Sequence, residues 1–395
     1  MKNEKLILFI LALTQFTHII DFMIIMPLGA QLMEIFSISP KQFSLIVSSY
    51  AITAFFASLL GAMFIDRWDR KIVLLVTFTG FTIGTLACSA VSSYELFLVA
   101  RSFTGAFGGM ISALVLAIIG DIIPFERRGA AMGIVMTAFS VASVVGVPAG
   151  IVLAAEFTWR MPFIAVGGLG LVMIPMIFFI IPPIRIHLES NQPKVKPFEV
   201  IRNIARDTNQ TQALLFSICL MLGHFIIIPF IAPYMQLNIG FSDHQVSYIY
   251  LAGGSLTAIL LPIAGIISDR VGHLKVFTAA SVMALISVYA ITNLPAVSII
   301  IALCATSSYF IVSSGRSVPA TTMITSVVKA ESRGSFMSIR SSANELALAI
   351  SSLVAGMIII EQPDGSLGNY HYVGYIAIGM SILAILLARR LKTIS

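Results

Sequence analysis

Charge is scarce in this sequence. Of its 395 residues only 11% are Asp, Glu, Lys or Arg, against roughly 25% in an ordinary soluble chain. Mean hydropathy is +0.97, so a water-soluble fold is excluded. Cysteine is nearly absent as well. Cys88, Cys219 and Cys304 sit singly in apolar stretches, without CxxC spacing or a neighbouring His or acid. That excludes a disulfide framework and a metal centre, and leaves the three as packing residues. Hydrophilic sequence of any length is confined to about 183–210, so no extramembrane catalytic or binding domain fits, and neither an enzyme nor a cofactor is expected. The net charge of +6 comes from short basic clusters without interleaved aromatics, which excludes a nucleic-acid partner. No small-residue cleavage site precedes Asp21 in the apolar N-terminal stretch, so the first helix is expected to be retained.

What the chain has is long apolar runs. A bilayer core about 30 Å thick needs roughly 20 apolar residues in a helix, and twelve runs of that order can be marked, the first over 6–30 and the tenth over 296–326. The tenth is too long for one straight helix and contains Arg316 and Pro319, which predicts a kink. With the N-terminus placed in the cytoplasm, 19 of the 24 Lys and Arg fall on the inner side. Only Lys41 and Arg160 fall outside, so a multi-pass protein of the cytoplasmic (inner) membrane with both termini cytoplasmic is expected. A short amphipathic helix near 200–204 is expected to lie on the membrane face.

Two loops recur. Asp66-Arg67 after the second span and Asp269-Arg270 after the eighth are 203 residues apart (269 minus 66), and the Arg-Gly pairs at Arg128 and Arg333 are 205 apart (333 minus 128). A nearly constant offset marks a duplicated six-helix unit: 1–182, a linker over 183–211, and 212–395. The fold class is therefore an all-α polytopic membrane protein of twelve transmembrane helices in two pseudo-symmetric six-helix bundles, the architecture of carriers that alternate access to a midplane site.

At these residues the chain resembles the major facilitator superfamily, and within it the twelve-helix drug:proton antiporters and small-metabolite exporters. Asp66, Arg67, Arg70 and Lys71 match that superfamily's first cytoplasmic loop motif, although Ala62 and Asp69 stand where glycines are usual. Asp269, Arg270 and Gly272 form the second copy. Leu98–Gly109, centred on Arg101, is similar to the motif of the fourth span. Gly146, Pro148 and Gly150 are similar to the antiporter motif of the fifth, and Asp21–Leu28 to that of the first. The resemblance implies that Asp66 anchors the start of span eleven through its helix dipole, a plain turn residue being the alternative. It also implies that the small residues of span five pack against the second half, ordinary helix packing being the alternative.

Charges inside spans are costly and persist where they are used or paired. They are Asp21, Arg101, Arg316, Arg340 and Glu345, with His18 and His224 beside them. At 1.5 Å per residue, Asp21 and Arg101 both lie about 8–9 Å below the outer edge, and Arg316 and Glu345 both about 15–16 Å from the inner one. Two pairs are expected. Arg340 lies about 8 Å in and can snorkel. Asp21 is the leading proton carrier, with Arg101 as the partner whose displacement lets it take up a proton; a permanent structural ion pair is the alternative. His18, on the same helix face, is a relay candidate. Gln15, Phe22, His224, Phe230, Tyr234 and Asn344 are candidate cavity residues.

The expected function is a proton-coupled antiporter, monomeric, exporting small amphipathic molecules by alternating access, with protons, the solute and the lipid bilayer as its partners. A symporter or uncoupled facilitator for a polar metabolite or lysolipid is the alternative, and a non-transporting sensor a distant one. One acid and one Arg at each level point towards neutral or monocationic solutes.

Overall fold

Nearly every long apolar stretch is helical in the computed structural model, which describes residues 4–64, 67–185, 197–329 and 332–392. Among the described residues, twelve helical segments are long and apolar enough to cross a membrane. Their outward faces carry large apolar side chains: Phe179 is 80% exposed and Ile300 70%. In water such faces would aggregate, whereas in lipid they cost nothing, and the backbone polar groups are satisfied within each helix.

The chain forms two compact units. The first comprises Met1–Ile25 and Ser49–Pro197. It holds α1 (Glu4–Ile24), α3 (Pro40–Phe64) from Ser49 onward, α4 (Arg70–Ala90), α5 (Tyr94–Ile122), α6 (Phe125–Val141), α7 (Val147–Glu156) and α8 (Met161–Ile180). A five-residue π-helical turn, Ala142–Gly146, joins α6 to α7. Helix α4 packs on both α5 and α8, and α1 on α6 and α8. Their common core gathers Leu11, Phe78, Phe81, Leu114, Ile118 and Ile177.

The second unit comprises Met26–Ser48 and Phe198–Ser395. It takes α2 (Gly29–Phe36) and the beginning of α3, then α9 (Pro197–Arg206), α10 (Thr208–Phe225), α11 (Ile228–Leu237), α12 (Asp243–Val271), α13 (His273–Thr292), α14 (Ile299–Gly315), α15 (Ser317–Thr325), α16 (Arg333–Ile358) and α17 (Tyr370–Ala388). Residues 26–48 thus pack with the second unit, although sequence order assigns them to 1–182. Side-chain chemistry explains it. Phe43 meets Phe230 edge-on at 5.7 Å, the Ser352 hydroxyl donates to the Ser44 carbonyl at 3.3 Å, and Gly356 leaves no room for a Cβ against Ser44.

Breaks fall where proline removes a backbone donor. The first span ends at Ile24, before Pro27; the seventh divides into α10 and α11 ahead of Pro229; the tenth divides at Arg316, ahead of Pro319. The amphipathic segment is longer than 200–204: it is α9, whose Val200 and Ile204 pack on the core of the second unit. A small antiparallel hairpin, β1 (Ile360–Glu361) with β2 (Leu367–Gly368), has no counterpart in the apolar pattern.

Candidate functional site

In the first unit α1, α3, α4 and α5 bring four polar side chains to one sealed point. Arg101 on α5 donates from Nη1 to Asp21 Oδ2 on α1 at 2.9 Å, and both side chains have zero exposure. Thr85 on α4 donates from Oγ1 to Asp21 Oδ1 at 2.9 Å. The guanidinium carbon lies 4.7 Å from the ring centre of Tyr50 on α3, a cation–π geometry strengthened by the burial of both groups. Two other guanidinium nitrogens, Nε and Nη2, are buried and make no well-aligned hydrogen bond among the described residues, with the Cys88 thiol close beside the guanidinium. Such donors cost about 1–3 kcal/mol each, so the pair is held by one bond where a bidentate fork would satisfy more of the cation.

Glycines create this closeness. A Cβ on Gly105 would stand 2.3 Å from the Tyr50 carbonyl oxygen, and one on Gly109 2.5 Å from that of Ala54. The GxxxG spacing on α5 lets α3 approach backbone to backbone, which sets Tyr50 under Arg101. Neither Tyr50 nor Thr85 stands out in the sequence, because an apolar span carries many such residues. The Gly105/Gly109 spacing is the signal that points to close contact there.

His18 lies on the same helix as Asp21 but makes no hydrogen bond to it. Its Nδ1 is buried without a partner and its ring packs on Phe81 at 5.8 Å, so no relay contact exists in this arrangement. Gln15 donates to Ser112 at 2.8 Å, and Phe22 packs on Tyr50 at 5.7 Å. In the fifth span the space opened by Gly146 and Gly150 is filled by Ile20 and Ile24 of α1. Pro148, in the first turn of α7, follows the π-helical turn.

In the second unit the expected pair of Arg316 and Glu345 is not formed. Arg316, 3% exposed, donates from Nη1 to Ser381 Oγ at 3.0 Å, and no ion pair joins it to an acid among the described residues. Equal depth on two helices fixes height, not azimuth, so a shared level does not by itself bring two side chains together. Asn344 accepts from Ser217 at 3.0 Å, and Ser217 in turn accepts from Arg340 Nε at 2.8 Å. His224 Nδ1 is 3.1 Å from the Tyr309 hydroxyl. Tyr234 donates to the Leu294 carbonyl at 2.9 Å. Phe230 has zero exposure, so it is a packing residue here and lines no cavity.

Asp66 lies outside the described residues. The rest of its loop is organised by Asp69, which stands where the sequence pattern led us to expect a glycine. Asp69 caps α4 by accepting from the Lys71 N–H at 3.0 Å, and also accepts from the Ile184 N–H and from Arg185 Nε, each at 3.0 Å. Burial alone would raise its pKa, but these hydrogen bonds outweigh burial and hold the carboxyl below its ordinary value. The start of the linker is thereby clipped to the loop. Arg70 pairs with Asp121 at the end of α5, and Lys71 sits 5.3 Å from the Phe178 ring centre. Arg67 is exposed, as are Asp269 and Arg270 in the last turn of α12. Gly272 closes that helix at φ 102°, a conformation only glycine adopts without strain. Asp69 at φ −56° needs no such freedom, which is why the two loop copies differ at this position.

Twelve spans, the repeated loops and a sealed Asp–Arg pair describe a secondary-transporter fold, and the sequence profile of the Major Facilitator Superfamily matches residues 11–219 and 213–394. The chain belongs to this superfamily. It is 23% identical to YwfA, an uncharacterised MFS-type transporter of Bacillus subtilis, over 98% of this chain and 92% of that one. It is 25% identical to multidrug resistance protein 2 of the same organism over 62% and 61%. Among solved structures, a D-xylose–proton symporter superposes with a TM-score of 0.79 at 17% identity, covering 98% of this chain and 99% of that one. At that identity the likeness shows the fold alone. The protein is a multi-pass membrane transporter of the superfamily and not an enzyme.

Proposed function

We propose that this transporter is a proton-coupled antiporter that exports small amphipathic molecules, with Asp21 as the proton carrier and Arg101 as its displaceable partner. The supporting observation is the ion pair at zero exposure, joined by one hydrogen bond, with two guanidinium nitrogens that make no well-aligned hydrogen bond among the described residues. A permanent structural pair gains most when every donor is used. A pair that must open gains from holding back. While the pair is closed Arg101 is the counter-ion of Asp21; when Arg101 swings away, an isolated buried carboxylate is neutralised most cheaply by a proton. The distribution of 19 of 24 basic residues to one side supports cytoplasmic termini, which places Asp21 nearer the outer face and lets a proton from outside reach it early. A membrane potential of 100 mV supplies about 2.3 kcal/mol per charge, and each pH unit about 1.4, enough for at least a hundredfold gradient of a neutral solute.

The test is transport by purified protein in liposomes under an imposed pH gradient, with cationic, neutral and anionic amphiphiles. Asp21→Asn mimics the protonated carboxyl, so it should exchange solute passively but lose uphill transport and its pH dependence. Uphill transport retained by Asp21→Asn would place the proton elsewhere, with Glu345 the next candidate.

A further inference from the structure

The buried arginines of the first unit meet acids: Arg101 has Asp21 and Arg70 has Asp121. Arg316 has only a neutral hydroxyl, that of Ser381 at 3.0 Å. It is 3% exposed, lies in a span and forms no ion pair among the described residues. Arg340 also lacks an acid, but it is half-buried and sits near the end of its span. A guanidinium buried without a counter-ion costs several kcal/mol by any scale, so a residue of this kind persists where something else supplies the negative charge.

What surrounds it is rich in donors. Tyr309, with zero exposure, is within electrostatic reach of Arg316 and holds its hydroxyl against His224. Tyr250, 6% exposed and joined to Tyr309 through the Phe310 ring, which lies 5.7 Å from one and 5.8 Å from the other, has a buried hydroxyl with no hydrogen-bond partner among the described residues. Among the described residues no acid, Glu345 included, forms an ion pair with Arg316.

We infer that Arg316 binds the carboxylate of the transported solute, which completes the charge that the protein leaves open. This deepens the transport reading and rests on it. One planar guanidinium matches one carboxylate in charge and in bidentate geometry, whereas a phosphate dianion needs a second cation. The half-buried ring of Phe310, 5.7 Å from that of Tyr250, supplies apolar surface for the rest of the molecule. The solute class is then an amphipathic organic carboxylate. The expectation of neutral or monocationic solutes assumed that Glu345 neutralises Arg316, and that pair does not exist.

The experiment is the thermal unfolding of the purified full chain in detergent micelles, without any gradient. Phenylacetate, indole-3-acetate and hexanoate are titrated against the matched amides phenylacetamide, indole-3-acetamide and hexanamide. At least one acid should raise the melting temperature saturably where its amide does not. Arg316→Gln should weaken that acid at least tenfold, Arg316→Lys should keep part of the preference, and Tyr250→Phe should weaken it severalfold. If Arg316→Gln fails to fold, the Lys and Phe variants still decide. No acid exceeding its amide in the wild type, or a preference unchanged in the folded Arg316 variants and in Tyr250→Phe, overturns the assignment. Because no proton gradient is applied, loss of the Asp21 coupling reading leaves this result unaffected, and the converse also holds.

Discussion

Asp69→Ala is the substitution whose consequence can be worked furthest from the structure. The side chain accepts three hydrogen bonds: from the Lys71 N–H, the Ile184 N–H and Arg185 Nε, all at 3.0 Å. The first caps α4 and is worth about 1 kcal/mol to that helix. The second holds the linker, and its loss strands a buried backbone donor at about 1–3 kcal/mol. The third contributes little, since Arg185 is 66% exposed and water screens the pair. What stays is the Arg70 N–H donated to the Ile184 carbonyl at 3.2 Å and the burial of Ile181 and Ile184 in the core of the first unit. Removing Asp69 therefore weakens docking of residues 184–185 by about 2 kcal/mol, a roughly 30-fold larger open population at 1.4 kcal/mol per decade.

Trypsin reads that population directly, because cleavage after Arg185 follows the open fraction when opening and closing are fast. The rate, normalised to cleavage after exposed Arg390, should rise by about one to one and a half decades in Asp69→Ala. Asp69→Asn keeps an acceptor oxygen and should rise less. Acid should imitate the substitution. The docked carboxyl titrates below its ordinary value of 3.8, so its contribution is complete above that pH and is lost as pH falls through the depressed docked value. Hydrogen exchange of the Ile184 amide, corrected for the intrinsic rate, should be flat from neutrality down to about pH 4 and rise below it. Arg185 cleavage within twofold of wild type in Asp69→Ala would refute the reasoning, and apolar burial would then be the whole of the clip.

Arg101→Ala leaves Asp21 with Thr85 as its hydrogen-bond partner and should abolish coupled transport while the chain still reaches the membrane; liposome flux at wild-type rate and stoichiometry would contradict this. Gly105→Ala drives a Cβ to 2.3 Å from the Tyr50 carbonyl oxygen, which forces α3 off α5 and should cost about 1–3 kcal/mol, seen as a lower melting temperature in micelles. Asp121→Asn removes the counter-ion of Arg70 and should lower the melting temperature more than Glu4→Gln, whose partner Arg127 is 60% exposed.

Length, apolar runs and loop repeats made the twelve spans legible, because lipid imposes one length and one backbone solution on every crossing segment. The breaks at Pro27, Pro229 and Pro319 follow from a missing N–H, of which only the last was marked in advance. The assignment of residues 26–48 to the second unit was not legible, since a contact such as Phe43 on Phe230 depends on tertiary packing and leaves no periodic trace. Depth arithmetic located Asp21 and Arg101 at one height, and the structure joins them; the same arithmetic put Arg316 level with Glu345, and the structure keeps them apart. Height along a span is linear in sequence, whereas azimuth depends on how each helix is rotated by its neighbours. Asp69 shows the opposite limit. It reads as a flaw in a glycine pattern, yet a side chain that caps a helix and grips the linker replaces a backbone freedom that this loop does not use.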